Sequence, residues 1–281
     1  ATFTILTDAL TITYPINGSV INRPDTVITG RLPAVSGEVG VTVNGQVAMV
    51  NGQDFAVNGV GLTIGENTIT ATMTDENGAT STVSITLYNN TQGAYVKLSS
   101  NIESSLSPLS AQISLDTALP AAITEITLSI DGPTSTPDTP TTFPYTITLQ
   151  TTGIYLLTVT VRTGDGNSYE DKFALNVLDA AAMDALLKAK WDGMKTKLMA
   201  GDVEGAVRYY AQNSKDSFRQ QFTMLSSILS QIVSEMGQIT MITIINNAAK
   251  YDLRTVRNGT TYSFEIMFIQ DTDGVWRIRS F

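Results

Sequence analysis

Short runs in which apolar and polar residues alternate fill the first two thirds of the chain. Residues 10–14, 39–43, 67–73 and 82–87 show the two-residue period of a half-buried strand. Asn-Gly dipeptides punctuate these runs and favour the positive φ angles of tight hairpin turns. They stand at Asn17-Gly18, Asn44-Gly45, Asn51-Gly52, Asn58-Gly59 and Asn77-Gly78. Short strands with closely spaced turns predict β-sandwiches.

The hydrophobic period changes at Asp179. Apolar residues then recur every three or four positions, which is typical of amphipathic helices. The first predicted helix ends at Gly201, Asp202 can cap a short second one, and Ser214 can cap a third that runs to Gly237. Four strands are predicted after it, at 238–246, 248–257, 260–270 and 275–281. Helices followed by a meander of strands form an α+β pattern.

The first run of strands resembles bacterial immunoglobulin-like domains over about residues 8–90. The likeness rests on Tyr14-Pro15, Val43-Asn44-Gly45, Phe55, Leu62, Gly65-Glu66-Asn67-Thr68-Ile69-Thr70, Asp75 and Asn77-Gly78. It is closest to the modules appended to glucodextranase-type and other surface proteins. It implies a sandwich fold and specifies almost nothing about activity.

The second run, from about Tyr95 to Val177, resembles PKD-type domains in its last third. The step Thr152-Gly153-Ile154-Tyr155 into a long alternating strand is the informative part. The family's usual Trp-x-Phe-Gly-Asp-Gly segment is missing, and Ser129-Ile130-Asp131-Gly132 stands roughly where it would fall. The Pro- and Thr-rich stretch 133–144 is predicted to be irregular.

The last third resembles the nuclear transport factor two-like (cystatin-like) superfamily from Leu187 to Phe281. The likeness rests on Lys188-x-Lys190-Trp191, Gly201-Asp202-x-Glu204-x-Ala206 and Asp273-Gly274-x-Trp276-Arg277-Ile278. It implies a cone of curved sheet wrapped on helices. Members of this superfamily include isomerases, dehydratases, binding proteins and structural modules.

Together these patterns predict a multidomain chain. Two all-β Ig-like sandwiches are followed by an α+β domain, in which three helices pack on a curved four-stranded antiparallel sheet. The predicted boundaries are 1–92, 93–178 and 179–281. Because a strand-like segment follows Ala1 almost at once, we expect a piece cut from a longer protein, with the natural C-terminus at Phe281.

Composition excludes several chemistries. The 281 residues contain no cysteine and no histidine. Disulfides, thiol nucleophiles, Cys-ligated metals, Ser-His-Asp triads and imidazole acid–base catalysis are therefore excluded. Carboxylates, Lys, Tyr, Ser and Thr remain as candidates for chemistry.

Charge is distributed unevenly along the chain. Residues 1–90 hold 7 acidic and 2 basic residues, 91–178 hold 8 and 3, and 179–281 hold 11 and 12. An acidic surface binds nucleic acid and anionic membranes poorly, and no apolar run approaches the length of a membrane span. We therefore expect no nucleic-acid partner. The expected partners are other domains of the parent protein, or a surface or extracellular protein or glycan.

Aromatic residues of the last third are the candidate ligand site. Strand parity places Tyr262, Phe264, Ile266 and Phe268 on one face of the third predicted strand, and this face must turn toward the helices because the opposite face carries charges. Two interpretations stay open: a filled core, or an apolar pocket with tyrosine hydroxyls that fix a ligand. The candidate ligand-binding residues are Tyr209, Tyr210, Tyr251, Tyr262, Phe264 and Trp276.

Catalysis in this cone is not expected, because isomerase-type chemistry needs an acid or base inside it. The predicted strands place no carboxylate there. Asp202, Glu204 and Asp216, at the starts of helices, are the carboxylates that would change this expectation by pointing inward. The charged set on the opposite face of the sheet is interpreted as a solvated surface, with a docking face as the second interpretation. That set is Asp252, Arg254, Glu265, Arg277 and Arg279.

Calcium is the only cofactor that the sequence brings into consideration. Acidic turns such as Asp165-Gly166-Asn167, with Glu170 and Asp171 nearby, contain suitable oxygen ligands, but none completes an EF-hand loop. Turn propensity alone explains each of them. The best metal candidates are Asp165, Asn167, Glu170 and Asp171.

The function predicted from these patterns is a non-catalytic structural or interaction segment of a larger extracytoplasmic bacterial protein, secreted, periplasmic or on the cell surface. The sandwiches would act as spacers and the α+β domain as a C-terminal cap. The alternatives are a small-ligand binding module that uses the aromatic cone, and an isomerase- or dehydratase-like enzyme in the same cone.

Overall fold

The computed structural model describes residues 9–90, 93–134, 136–138, 140, 142–257 and 259–281. The chain divides into two compact units, Ala1–Leu178 and Asp179–Phe281. It is mostly β, with several sheets and few helices, as the sequence predicts. The strand-like segment expected directly after Ala1 lies outside the described residues. No described helix has the length and apolar character needed to cross a membrane.

The first sandwich, residues 9–90, has two sheets, ordered β1-β3-β7-β6 and β2-β9-β8-β4-β5. Alternating residues from both sheets fill its core, which includes Ile28, Val41, Phe55, Ile69 and Leu87. Its strands are β1 (Thr11–Tyr14), β2 (Val20–Ile21), β3 (Asp25–Arg31), β4 (Val39–Val43), β5 (Gln46–Val47), β6 (Met49–Asn51), β7 (Asp54–Gly61), β8 (Gly65–Asp75) and β9 (Thr80–Asn89).

The Asn-Gly dipeptides of this sandwich do not all form turns. Asn44 and Gly45 both have positive φ, 48° and 82°, and join β4 to β5 as a mirror-image turn. The turn predicted at Asn58-Gly59 is wrong, because both residues lie inside β7. Gly59, at φ 64°, forms a bulge there: the register of β7 against β3 shifts at this point. Because of this bulge, the side chain of Asn58 does not follow the two-residue alternation of the strand.

The second sandwich, residues 95–178, pairs a sheet ordered β10-β12-β15 with strands ordered β14-β13-β16-β17-β11. Its core is separate from that of the first sandwich and includes Leu109, Ile113, Tyr155 and Val159. Its strands are β10 (Tyr95–Ser100), β11 (Ser104–Leu106), β12 (Leu109–Ala118), β13 (Ile123–Asp131), β14 (Thr136–Asp138), β15 (Tyr145–Leu149), β16 (Gly153–Thr163) and β17 (Ser168–Leu178).

Two details of the second sandwich bear on the sequence prediction. The stretch predicted to be irregular contains β14, which pairs with β13. Gly132 is required by packing, because a Cβ there would lie 2.6 Å from the Tyr155 ring. Tyr155 is fully buried, and its hydroxyl donates to the carbonyl of Thr151 at 3.0 Å.

The second unit begins with helices, and Asp202 caps the second of them as the sequence predicts, accepting from the N–H of Gly205 at 2.8 Å. Asp179 caps the first helix, accepting from the N–H of Ala182 at 2.8 Å. The predicted cap at Ser214 is wrong, because its hydroxyl donates to the carbonyl of Arg279 and makes no capping bond. The helices are α1 (Ala180–Met199), α2 (Val203–Val207), α3 (Lys215–Met224) and α4 (Leu229–Glu235). The single third helix predicted from 214 to 236 is therefore two helices. Ser226 and Ser227 lie at the break, where serine competes with helical hydrogen bonding.

An antiparallel meander completes this unit, in the order β18-β19-β20-β21. The hairpin of β19 and β20 has unbroken register from Ala248↔Ile269 to Arg257↔Thr260. The last strand is shorter and pairs only with residues 267–270 of β20. The strands are β18 (Ile239–Ile245), β19 (Ala248–Arg257), β20 (Thr260–Gln270) and β21 (Trp276–Ser280).

Candidate functional site

The structure separates the six aromatic residues predicted to line a ligand cone. Tyr210, Tyr251 and Trp276 are buried, whereas Tyr262 and Phe264 are 45% and 47% exposed. The prediction that Tyr262 and Phe264 face the core with Ile266 and Phe268 is therefore wrong for the first two. They lie on the part of β20 that extends beyond its pairing with β21. Tyr209 packs elsewhere, with its hydroxyl against Gly193 of α1.

Aromatic rings pack against one another around the buried Tyr210 and Trp191, with the partly buried Phe218 and the exposed Phe281 at the edge of the group. The Tyr210 ring centroid lies 4.1 Å from that of Phe218 and 5.8 Å from that of Phe222, and the Trp191 and Phe281 centroids are 5.3 Å apart. These are contact separations for packed aromatic rings. Burial raises the pKa of Tyr210 well above its usual value, and its hydroxyl has no hydrogen-bond partner among the described residues. The observed geometry favours the filled-core interpretation.

Replacing Tyr210 by phenylalanine tests this interpretation. We expect the free energy of unfolding of the second unit to stay unchanged or to rise by about 1 kcal/mol, because the substitution removes a buried hydroxyl that has no partner. The matched control is Tyr155→Phe, which deletes an equally buried but hydrogen-bonded hydroxyl and should cost about 1 kcal/mol. Urea unfolding measures both. A clear loss of stability in Tyr210→Phe would mean that the Tyr210 hydroxyl makes a stabilising hydrogen bond, and it would contradict this expectation.

One carboxylate does lie near a buried tyrosine, and the sequence analysis did not identify it. Asp184, on α1, lies near the Tyr251 hydroxyl, and burial first and then the charge of Asp184 raise the pKa of that hydroxyl. Asp184 also binds Lys188 through Oδ2 at 2.7 Å, as an i,i+4 pair on α1. Asp184 Oδ1 and the Tyr251 hydroxyl are both buried, and the two groups interact with each other. The second carboxylate oxygen of Asp184 is held by Lys188.

The other candidate carboxylates point outward. Glu204 and Asp216 both bind Arg219, and their side chains are 70% and 90% exposed. Asp202 caps α2 and pairs with Lys197 at 3.2 Å. Bonds to the Gly205 N–H first, and then to Lys197, lower the pKa of Asp202. These three groups therefore act at helix ends rather than inside a pocket.

The charged face of the sheet is less solvated than the sequence predicts. Arg277 is 11% exposed and binds Asp273 through two nitrogens, at 2.6 and 2.7 Å, and Asp271 at 3.0 Å. Asp252 is also buried, and it accepts from Ser263 and Arg254. The two carboxylates of the acidic turn 271–274 thus hold the guanidinium of Arg277 in place.

The four residues considered for calcium do not form one site, although Asp165 and Asn167 contact each other in a turn. Asp165 accepts from the Thr163 hydroxyl at 2.5 Å and from the Asn167 side chain at 2.9 Å, and bonds to these two residues, that to Thr163 first, lower its pKa. Glu170 pairs with Lys172, and Asp171 pairs with Arg23. The described residues contain no group of three or more acidic residues suited to a metal ion. The structure therefore gives the calcium hypothesis no geometric support.

The most specific polar arrangement in the first unit lies where the two sandwiches meet. Arg23, beside β2 of the first sandwich, pairs with Asp171 of β17, and their side chains are 13% and 6% exposed. Asp171 also accepts from the N–H of Leu98 on β10 at 2.6 Å. Burial lowers the pKa of Arg23, and this is opposed by nearby Asp25, Tyr14 and Glu170. A buried charge pair fixes the two sandwiches to each other.

Asparagine side chains add a second attachment. The Asn58 amide donates to the carbonyl of Ala174 at 2.9 Å and accepts from its N–H at 2.7 Å. Asn51 donates to Asn176 Oδ1 at 2.8 Å and to the carbonyl of Val177 at 2.9 Å. β17 pairs with β16 on one side, and β11 covers the other side only at residues 176–178. Asn58 therefore bonds the open edge of β17 as a neighbouring strand would.

A small apolar contact completes the junction. Val27 and Ala56 of the first sandwich pack with Ala174 of the second, and Tyr14, Met49, Ile154 and Leu156 surround them. The contact is too small to be a core by itself, so the polar attachments carry much of the specificity. Local sequence patterns do not predict this pairing, because its partners lie more than 100 residues apart.

A cleft of about 320 Å³ opens beside the junction. Its lining includes three tyrosines, Tyr14, Tyr95 and Tyr169, together with Glu170 and Lys172. Lys172 Nζ lies 5.5 Å from the centroid of the Tyr14 ring and binds Glu170 and the Thr158 hydroxyl, each at 3.0 Å. Burial raises the pKa of Tyr14, and the charge of Arg23 partly opposes this.

Comparison with known proteins identifies no family. No family model matches the chain, and no curated protein matches it. Among solved structures, the fibronectin(III)-like modules of Clostridium thermocellum CbhA are 14% identical, with 61% of this chain and 95% of that chain covered, at a TM-score of 0.24. The Bacteroides ovatus protein SGBP-B, solved in complex with a mixed-linkage heptasaccharide, is 12% identical, with 61% and 71% covered, at 0.22.

The BSP domain of a biofilm-associated protein gives a similar result, with 14% identity, 61% of this chain and 29% of that chain covered, and a TM-score of 0.24. All three similarities are too low to carry an argument about function.

Proposed function

We propose that this chain is a non-catalytic structural and interaction segment of a larger extracytoplasmic bacterial protein. Its two Ig-like sandwiches, the second a divergent PKD-type module, act together as one stiff spacer. The α+β unit, with a nuclear transport factor two-like fold, follows them. Surface or extracellular proteins or glycans are the expected partners.

The observation that carries this proposal is the completion of the β17 edge by the first sandwich. Asn58 satisfies both backbone groups of Ala174, and Arg23 lies against Asp171 next to it. Hinged modules meet through small, mostly solvated contacts, and relative motion is then the default expectation. Here directional bonds and a buried ion pair oppose such motion. A spacer that keeps a fixed length needs this property.

The non-catalytic part of the proposal is supported by composition and by the second unit. No cysteine or histidine is present. The Asp184 carboxylate beside the buried Tyr251 is paired with Lys188, and the buried Tyr210 ring packs on that of Phe218. The proposed location rests on the resemblance of residues 8–90 to bacterial surface modules and on the acidic, Thr-rich sandwiches.

Backbone ¹⁵N relaxation of the full chain tests the spacer function. We expect amides of both sandwiches, 9–90 and 95–178, to fit one common rotational diffusion tensor, because the junction prevents independent tumbling. The variant Asn58→Ala with Arg23→Met should separate the two sets of values. As a control, Asn44→Ala alters a turn outside the junction and should leave them together. Two separate tensors in the unsubstituted protein would contradict the proposal.

Location is tested on intact cells of the source bacterium. Protease added outside the cells should cleave the parent protein if it is exposed on the surface, and osmotic release should make it accessible if it is periplasmic. Recovery only with the cytosolic fraction would contradict an extracytoplasmic location.

A further inference from the structure

We propose that the cleft beside the sandwich junction binds a neutral oligosaccharide. This rests on the proposed function and names one class among its expected partners, whereas the stiffness of the spacer is tested separately by relaxation. The cleft's volume of about 320 Å³ lies within the range of small-molecule sites. A second depression of about 210 Å³ shares Arg23, Tyr95 and Val96 with it. Tyr95 thus lines both, which suits a ligand made of successive units better than a single compact molecule.

The charge of the two depressions excludes strongly ionic ligands. Their lining contains three cations and three anions, and each cation has an anionic partner: Arg23 with Asp171, Lys97 with Asp25 and Lys172 with Glu170. An ionic ligand would have to displace a partner, and breaking the buried Arg23–Asp171 pair would leave an uncompensated charge. A neutral ligand meets no such cost.

Hydrogen-bonding capacity nevertheless remains at the rim of the cleft. Lys172 has three N–H donors, and the bonds described above use two of them. Glu170 is 52% exposed and binds Lys172 through only one carboxylate oxygen. A donor and an acceptor fixed side by side match the hydroxyl groups of a sugar, each of which can accept and donate.

Tyrosines provide the complementary apolar surface. Tyr95 is 38% exposed, and Tyr14 and Tyr169 are partly exposed in the same cleft. Tyrosine offers a rigid ring face at low entropic cost, with a hydroxyl at its end. The C–H face of a sugar ring can lie on such a ring while its hydroxyls reach Glu170 and Lys172.

An extended peptide is a poorer fit, because strand addition needs an open edge. At the junction, Asp171 already occupies the N–H of Leu98 on β10, and Asn58 occupies both backbone groups of Ala174 on β17. β2, an edge strand that also lines the cleft, is only 2 residues long and offers little edge for a peptide strand.

Isothermal titration of the full chain with cellohexaose, laminarihexaose, xylohexaose and mannohexaose tests the proposal. A hexamer of galacturonate serves as the charged arm, and a neutral Ser- and Thr-rich hexapeptide as the peptide arm. We expect saturable binding of at least one neutral sugar, with little dependence on salt concentration. Tyr95→Ala should weaken it at least about tenfold, as expected when a ring that carries much of the contact is removed.

Tyr88→Ala is the matched control, because Tyr88 is 39% exposed in the same unit and is not among the residues that line the cleft. It should leave the affinity unchanged. Amide shift changes at residues 168–172 on addition of the bound sugar locate the site without any substitution, so a Tyr95 variant that fails to fold does not end the test. Failure of all four sugars to bind, binding only of galacturonate or the peptide, or binding that moves only signals of the second unit would overturn the proposal.

Discussion

Replacing Arg23 by methionine should lower the free energy of unfolding of the first unit by about 3–5 kcal/mol, the cost of leaving a buried charge without its partner. Asp171 is only 6% exposed, so water cannot take over the role of the guanidinium. Methionine keeps much of the packing volume, which restricts the effect to charge and hydrogen bonding. Urea unfolding followed by far-ultraviolet circular dichroism measures the loss. Both tryptophans, Trp191 and Trp276, lie in the second unit, so their fluorescence reports that unit separately.

Arg31→Met is the matched control for this experiment. Arg31 also pairs with an aspartate, Asp54, but at 3.4 Å and with both side chains about 60% exposed. Such a pair contributes about 0–1 kcal/mol. Adding Asp171→Leu to Arg23→Met should recover part of the stability, because no unpaired charge remains. Equal effects of Arg23→Met and Arg31→Met would show that the junction pair contributes no more than a surface pair.

Replacing Trp191 by alanine should lower the free energy of unfolding of the second unit by about 3–5 kcal/mol. Trp191 is fully buried on α1, with its ring edge against Phe281 and its indole N–H donating to the carbonyl of Gly237 at 3.4 Å. Alanine would leave a cavity among rings that are already packed and cannot all move inward. Fluorescence of the remaining Trp276 follows the transition during urea unfolding.

Met199→Ala is the control on the same helix, because Met199 is 58% exposed and should cost less than about 0.5 kcal/mol. Addition of small aromatic ligands to Trp191→Ala provides a second measurement, since a dry engineered cavity can bind them. A loss below about 1 kcal/mol would mean that the rings around Trp191 are loosely packed, and it would restore the pocket interpretation.

Local signals in the sequence predicted the elements well where one residue pattern decides the structure. The hairpin of β19 and β20 has the predicted bounds, 248–257 and 260–270, because the alternation of apolar and polar residues is regular along both strands. The helix predicted from 214 to 236 failed because its apolar stripe continues through Leu225 and Ile228, which are exposed at the break. The spacing of apolar residues along the sequence cannot reveal a bend after which those residues no longer face the core.

The candidate site was less predictable, because it depends on pairs that are distant in sequence. The sequence predicts Glu170 and Asp171 as calcium ligands because they stand near Asp165. Nothing near them in the sequence shows that Arg23 is the partner of Asp171. Asn58-Gly59 has the same two residue types as the dipeptide that does form a turn, Asn44-Gly45. Only the position of Gly59 inside a long strand turns this dipeptide into a bulge. The core positions predicted for Tyr262 and Phe264 are wrong. The alternation of side chains along a strand shows which residues share a face of the sheet, but not how far the helices cover that face.

The capped edge of β17 has a consequence for how these modules can be inherited. Most sandwich domains can be shuffled between genes one at a time, because each closes its own sheets. Here a copy of residues 95–178 alone would expose the backbone groups of Ala174 and leave Asp171 without the guanidinium of Arg23. The two sandwiches should therefore be duplicated and exchanged as one cassette, and a protease cut between them should destabilise the second.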